Sequence, residues 1–335
     1  AQNVDTFIKT ANKEQRPFFI SVNTHDPHRP FAGAPGEKKS LEKRFKDEIR
    51  KLKVKPEFIL PPKVQAYSEN NVEAPHFVPD HEWVREEFRY YINSSHRADQ
   101  FVGKIIETLE RNQVLDNTLV IFLSDNGIHW PFAKSNVYVS SVKTPLIVYW
   151  NGHTIPNTSS DRLVSTIDLL PTILEATTSI VPYPLPGKPL NPLFANPDQS
   201  HHDSVFATIN SKGDMGFEMR SIIGDQYIYI YNKWADGKHQ FYNGKYSGGL
   251  ALKGFEEAAK NDPSISERLH FFYHRTKEEM YDYQKDPDAL NNLLDYAGSL
   301  TKQSAFRQKM LHKLRDSGDP FLEDFEQFLE SDKQR

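Results

Sequence analysis

The 335-residue chain contains no cysteine, which excludes disulfides, thiolate metal sites and a thiol nucleophile within it. An excess of basic charge is also lacking: 41 Lys and Arg stand against 45 Asp and Glu, a formal net charge of -4. No global field recruits nucleic acid, and any anion binding must come from local charge. Nor is there an apolar run of the roughly 18 residues that a membrane span needs. The first residue is Ala1 rather than Met, so a start upstream, with any targeting signal, is expected to lie outside these residues. What is present, 38% hydrophobic and 26% charged residues, suits one large α/β domain with an appendage or two ordinary domains.

Val4, Phe7, Ile8 and Ala11 fall at helical spacing, and Arg16-Pro17 breaks the pattern before the apolar run Phe18 to Val22. This predicts a helix leading into a buried strand over 18–23. That strand ends in Asn23-Thr24-His25-Asp26-Pro27-His28-Arg29-Pro30, where the prolines forbid further pairing. Residues 33–80, rich in Lys, Glu and Pro, read as a long irregular excursion. A long helix follows over 82–112, with Val84, Phe88, Tyr91, Ser95, Ala98, Val102, Ile105 and Leu109 on one face. The β-branched runs 118–124 and 145–150 read as strands buried on both faces, and their alternation with helices predicts a parallel sheet. A short helix over 167–176 closes this part.

Prolines crowd the stretch from Val181 to Pro197, and the character then changes. Segments 204–209, 219–223, 227–231 and 279–283 read as an antiparallel sheet, with Gly224-Asp225 as a turn, and 300–329 as C-terminal helices. The expected organisation is therefore an α/β domain over 1–180, a linker over 181–200 and an α+β subdomain over 201–335. Three parallel strands are too few for a doubly wound domain, which makes this a piece of a larger one.

Ser124-Asp125-Asn126-Gly127 sits at the end of a predicted strand. Asn-Gly alone signals a hairpin turn. Pro131 stands where a partner strand would pair, and a carboxylate beside an amide oxygen at the C-terminal end of a strand also suits calcium or magnesium. Lys134, His25 and His28 each read singly as solvated loop residues. Together they are polar groups delivered by two strand ends, expected on one edge of the sheet, able to bind an oxyanion or a metal.

The segments Phe18 to Ile20, His25 to Pro30, Leu119 to Gly127, then Lys134 and Lys143-Thr144-Pro145, resemble in order and spacing the type I sulfatases, of the alkaline-phosphatase-like superfamily. The likeness to the N-sulfoglucosamine sulfohydrolase branch continues through Met219-Arg220-Ser221-Ile222, Glu279-Met280-Tyr281-Asp282, Asp286-Pro287 and Asn291-Asn292-Leu293. The resemblance implies an alkaline-phosphatase-like sandwich with a mainly parallel central sheet, its N-terminal part missing, plus a smaller C-terminal α+β subdomain with an antiparallel sheet. It implies that Asp125 and Asn126 are calcium ligands and that His28 and Lys134 contact the sulfate as catalytic groups. Lys212, Arg220 and His202 are candidate contacts with a sulfated saccharide, but here the chain departs from that branch, with Asn210-Ser211-Lys212-Gly213 in place of a histidine pair and His201-His202 several residues earlier, and Lys212 reads more readily as solvated.

In the family a formylglycine made within C/S-x-P-x-R attacks sulfur, and no such pattern occurs here. The expectation is that the N-terminal part of the same enzyme supplies it, that this chain alone is inactive, and that the compartment is periplasmic, extracellular or lysosomal. The N-sulfate or O-sulfate character of the substrate stays open. Two rival readings are a phosphodiesterase-type phosphoryl hydrolase of the same superfamily and a non-catalytic saccharide-binding remnant.

Overall fold

A computed structural model describes residues 2–52, 67, 72–180, 183–210, 216–241 and 249–333. The chain divides into two compact units: residues 1–118 with 245–265, and residues 119–244 with 266–335. The expected boundary at 181–200 is not where they divide, since that stretch lies inside the second unit.

The first unit is helical. It contains α1 (Gln2–Lys13), α2 (Glu37–Arg44), α3 (Lys46–Leu52) and the long α4 (Glu82–Arg111), joined later by α8 (Leu250–Ala258). His81 starts α4, its ring accepting the Trp83 N–H at 3.2 Å. The buried face of α4 is more polar than the apolar spacing suggested: Glu87, Asn93, Ser94 and Arg97 join Val84, Tyr90, Ala98 and Leu109. Each of these four polar side chains has a partner in the unit. Gly254 on α8 lets that helix approach closely, because a Cβ there would lie 3.0 Å from both His81 and Val84. The strand expected over 18–23 is not formed: residues 16–25 have no regular secondary structure and no ladder partner among the described residues, and Phe19 is 75% exposed.

The second unit holds both sheets. β1 (Val120–Leu123) and β2 (Leu146–Tyr149) pair with each other, Val120 opposite Tyr149 and Leu123 opposite Leu146. This pairing is antiparallel, which corrects the expected parallel relation of these two strands. A parallel neighbour needs a crossover, usually through a helix, and here only α5 (Val139–Val142) intervenes as the chain turns back on itself. The strand pairings among the described residues are all antiparallel. A 3-10 turn at Thr166–Asp168 leads into α6 (Leu169–Ala176), and the short α7 (Asn191–Ala195) follows.

The C-terminal sheet has the order β3 (Val205–Ile209), β4 (Met219–Ile223), β5 (Tyr227–Asn232) and β6 (Glu278–Asp282), antiparallel as expected. Helix α9 (Pro263–His274) precedes β6, and α10 (Leu300–Ser317) and α11 (Leu322–Lys333) follow it. Ile222, Tyr229, Tyr231 and Met280 of the sheet form a core with Phe306, Met310 and Leu314 of α10 and Phe325 of α11. The proline-rich stretch is fastened rather than loose. Lys188 N–H donates to Asp168 and Leu190 N–H to Thr172, each at 2.8 Å. A Cβ on Gly187 would fall 2.1 Å from the Ile167 carbonyl oxygen.

Candidate active site

In the first unit the loop 23–30 is clamped on both sides of His28. Arg97 of α4 grips the buried Asp26 with two bonds of 2.6 and 2.7 Å and reaches Glu37 at 2.8 Å. Arg29 donates to Glu87 at 2.8 Å, and the same Glu87 oxygen accepts the Ala251 N–H in the first turn of α8 at 2.8 Å. Between these clamps the His28 N–H closes a turn onto the His25 carbonyl, and its ring Nδ1–H donates to the Arg29 carbonyl at 2.6 Å. The ring is thereby held in one orientation.

His25 packs edge-on, its centroid 5.5 Å from that of His28. Its Nε2 accepts from Arg44 at 2.9 Å. Burial first, then the charge of Arg44, pushes its pKa down to about 4, so near neutrality His25 is an uncharged acceptor. The two histidines of the motif thus differ in kind.

In the second unit the end of β1 is pinned against the chain that returns to β2. Ser124 N–H donates to the Pro145 carbonyl at 3.3 Å, Gly127 N–H to that of Ser141 at 2.9 Å, and Ser140 Oγ to that of Phe132 at 2.9 Å. Gly127 is required by the closeness of this packing: a Cβ would lie 2.1 Å from Ser140 O and 2.8 Å from Ala133 O. Asn126-Gly127 is not itself a two-residue hairpin turn, since the antiparallel partner of β1 is Leu146–Tyr149. Asp125 is exposed. Asn126 uses its Nδ2 to reach the Gly127 carbonyl at 2.8 Å. A carboxylate and an amide oxygen are donors of the kind a hard cation such as calcium takes, in sets of six to eight oxygens.

Lys134 is half-buried on the same loop. Its backbone N–H donates to Trp130 at 3.3 Å and its carbonyl accepts from Asn136 Nδ2 at 2.9 Å. Asn136 is in turn held by Arg275, at 2.8 Å, and a second Arg275 N–H donates to Tyr138. Burial pushes the Tyr138 hydroxyl well above its ordinary range, so it stays protonated and donates to Glu279. Glu279, on β6, also accepts from Tyr281 at 2.8 Å and Asn232 at 2.6 Å. The Glu-Met-Tyr-Asp motif of β6 therefore acts through a chain of buried hydrogen bonds that holds the backbone of Lys134. Sequence reading missed Asn136, Tyr138 and Arg275 in this chain, and only the apolar flanks of Asn136 and Tyr138 hinted at their burial.

The remaining candidates are placed as follows. Arg220 is buried, and its five N–H donors are used on Asp319 (2.7 and 3.1 Å), the Ile209 and Met219 carbonyls (2.9 Å each) and Asn210 (2.9 Å), with its guanidinium over the Phe321 ring. No donor is left for a saccharide, and Arg220 serves the packing of β4. His202 turns its Nε2 to Asp168, 3.0 Å away. Lys212 lies outside the described residues. The second unit therefore brings Asp125, Asn126 and Lys134 onto one pinned loop and leaves Arg220 and His202 to other partners.

The sulfatase family matches residues 1–179, and the family described as N-sulphoglucosamine sulphohydrolase, C-terminal, matches residues 127–232. Human N-sulphoglucosamine sulphohydrolase is 29% identical over 311 residues, which cover 87% of this chain and 58% of that protein. The chain thus spans little more than half the length of this relative. Among solved structures, a Bacteroides fragilis protein solved as a candidate sulfatase superposes with a TM-score of 0.61 at 21% identity, covering 96% of this chain and 59% of that one. A protein crystallised with its substrate D-glucosamine-2-N,6-O-disulfate gives a TM-score of 0.54 at 15% identity, covering 86% and 49%. The fold is accordingly the alkaline-phosphatase-like α/β architecture of such structures. With more than half of its length matched, and with the pinned strand end at Asp125 to Gly127 inside the match, the chain belongs to the sulfatase family.

Proposed function

We propose that this chain is part of an enzyme that hydrolyses sulfate esters or sulfamates of a sulfated, glycosaminoglycan-like saccharide. The observation that carries the reading is the rigid loop after β1, which within a family-matched segment presents two oxygen donors and one ammonium group. The names of the similar human enzyme and of the disulfated glucosamine bound by the similar structure support the substrate class.

In this reading Asp125 and Asn126 hold calcium, which when bound would draw charge from the sulfate oxygens. Lys134 neutralises a further sulfate oxygen through its ammonium group, and the held backbone keeps that group from drifting. His28, oriented through its Nδ1, supplies a proton to the leaving oxygen or nitrogen. The nucleophile is a formylglycine from a C/S-x-P-x-R segment, a pattern these residues do not contain.

The test is sulfate release by the complete enzyme that includes these residues, offered glucosamine N-sulfate, glucosamine 6-O-sulfate and bis-p-nitrophenyl phosphate. Turnover of either sulfated sugar above the phosphodiester is expected. Preference for the phosphodiester would favour the phosphoryl hydrolase, and no turnover of any substrate would favour a binding remnant.

A further inference from the structure

Elsewhere in the second unit, Asp168, His201 and His202 each present one ligand atom, all within 4.8 Å of one another. His201 Nε2 lies 3.2 Å from one carboxylate oxygen of Asp168, and His202 Nε2 lies 3.0 Å from both. The surroundings hold this group in place. Asp168 is fully buried, and its carboxylate accepts the backbone N–H groups of Ser165 and Lys188 at 2.8 Å each. Those two bonds fix its plane as outer partners of a metal ligand do. The Lys188 ammonium donates to the His201 carbonyl at 2.8 Å, and His202 forms a β-bridge with Leu163. Burial works against ionisation of Asp168, and the N–H groups of Lys188 and Ser165, with His202, outweigh it and hold its pKa below the ordinary value.

We propose that Asp168, His201 and His202 form a site for a zinc-type transition metal, with a fourth position left to water. Zinc binds imidazole nitrogen and carboxylate oxygen at about 2.0 Å in a tetrahedron, which places neighbouring ligand atoms about 3.3 Å apart. The observed histidine–carboxylate separations of 3.0 and 3.2 Å need a change of a few tenths of an ångström, and the two histidine ligand atoms, within 4.8 Å of each other, close on the ion as the rings turn. Without metal, each ring donates its Nε2–H to the carboxylate. With metal, each neutral ring carries its proton on Nδ1 and turns the Nε2 lone pair to the ion. Two nitrogens in three ligands select zinc, cobalt or nickel over calcium, so the site is chemically distinct from the oxygen pair at Asp125 and Asn126. Its effect is to tie the start of α6 to the chain entering β3, and it does not depend on the proposed reaction.

The experiment is titration of the tag-free, EDTA-treated chain with Co²⁺ alone. The expected result is one Co²⁺ per chain with the intense visible bands of a tetrahedral ion, displaced by Zn²⁺ and not by Ca²⁺, and a higher melting temperature with Zn²⁺. His202→Gln, which keeps Asp168 as the acceptor of its backbone partners, should weaken Co²⁺ binding at least about 10-fold. Absence of tetrahedral bands, or equal affinity in His202→Gln, would overturn the proposal, the latter moving the ion to another pair such as His270 and His274, whose rings lie 4.3 Å apart on α9. Should His202→Gln not fold, ¹⁵N chemical shifts of the two rings in the unsubstituted chain decide: both Nε2 signals must move on Zn²⁺ addition, and unchanged signals refute the site.

Discussion

In the four-stranded sheet every residue of β4 is buried and α10 and α11 cover one face, whereas in the two-stranded sheet Ile147 is 62% exposed, with Leu123 and Tyr149 each 39% exposed. Both sheets are apolar in sequence and both lie in one unit. The sheet without a catalytic candidate has four strands and a helical cover, while the one that delivers Asp125 and Asn126 is a strand pair among the described residues, and two strands alone are marginal. Its rigidity comes instead from the loop beyond it, through Gly127 and the chain of bonds from Asn136 to Glu279. The well-packed sheet thus lends order to the poorly packed one.

The sharpest test of that contrast is amide hydrogen exchange: the amides of β4 and β5 should exchange only with global unfolding, and those of β1 and β2 far sooner. Equal protection would break the comparison. Glu279→Ala should be the most damaging substitution, because it strands the buried donors of Tyr138, Tyr281 and Asn232. At about 1–3 kcal/mol for each stranded group, a loss of about 3 kcal/mol or more is expected in denaturant unfolding, with the Lys134 loop loosened as well. A loss below about 1 kcal/mol would show that the sheet does not depend on this network.

Lys134→Ala separates activity from stability. In the complete enzyme it should lower kcat/KM about 100-fold while leaving the melting temperature unchanged, because it removes a charge-assisted contact and no core volume. Near-normal turnover would return Lys134 to the status of a half-buried loop lysine. Gly127→Ala should cost about 1–3 kcal/mol because its Cβ meets the Ser140 carbonyl. Its effect should show in the exchange of β1 and β2 and spare β4.

The remaining prediction belongs to the other unit. His25 has a folded pKa of about 4 against an ordinary 6.5, so the unfolded chain binds its proton first on acidification. The stability this group contributes is complete above about pH 6.5 and declines as the pH falls toward 4. His25→Gln should flatten that part of the stability profile, and an unchanged profile would assign the pH response elsewhere.

Much of the C-terminal sheet was legible because its strands carry apolar and β-branched runs bounded by clear turns. Met219–Ile223 is found as expected, and the neighbouring strands shift by only a residue at their ends. The long α4 was legible for the same reason, through period alone. Its buried Glu87, Asn93 and Arg97 were not, because charged or amide side chains enter a core only when partners distant in sequence receive them. Arg220 shows the same effect in reverse: placed among substrate contacts by resemblance, it is satisfied by Asp319, a partner 99 residues away.

By itself the sequence determined the class of the fold, the loops that bear His28, Asp125, Asn126 and Lys134, and the family to which those motifs belong, since these depend on local period, turn residues and short motifs. Tertiary structure alone decided that β1 and β2 run antiparallel, that the proline-rich stretch is fastened to α6, and that Asp168, His201 and His202 converge. Each of these rests on hydrogen bonds or close packing between residues far apart in the chain, which local pattern does not encode.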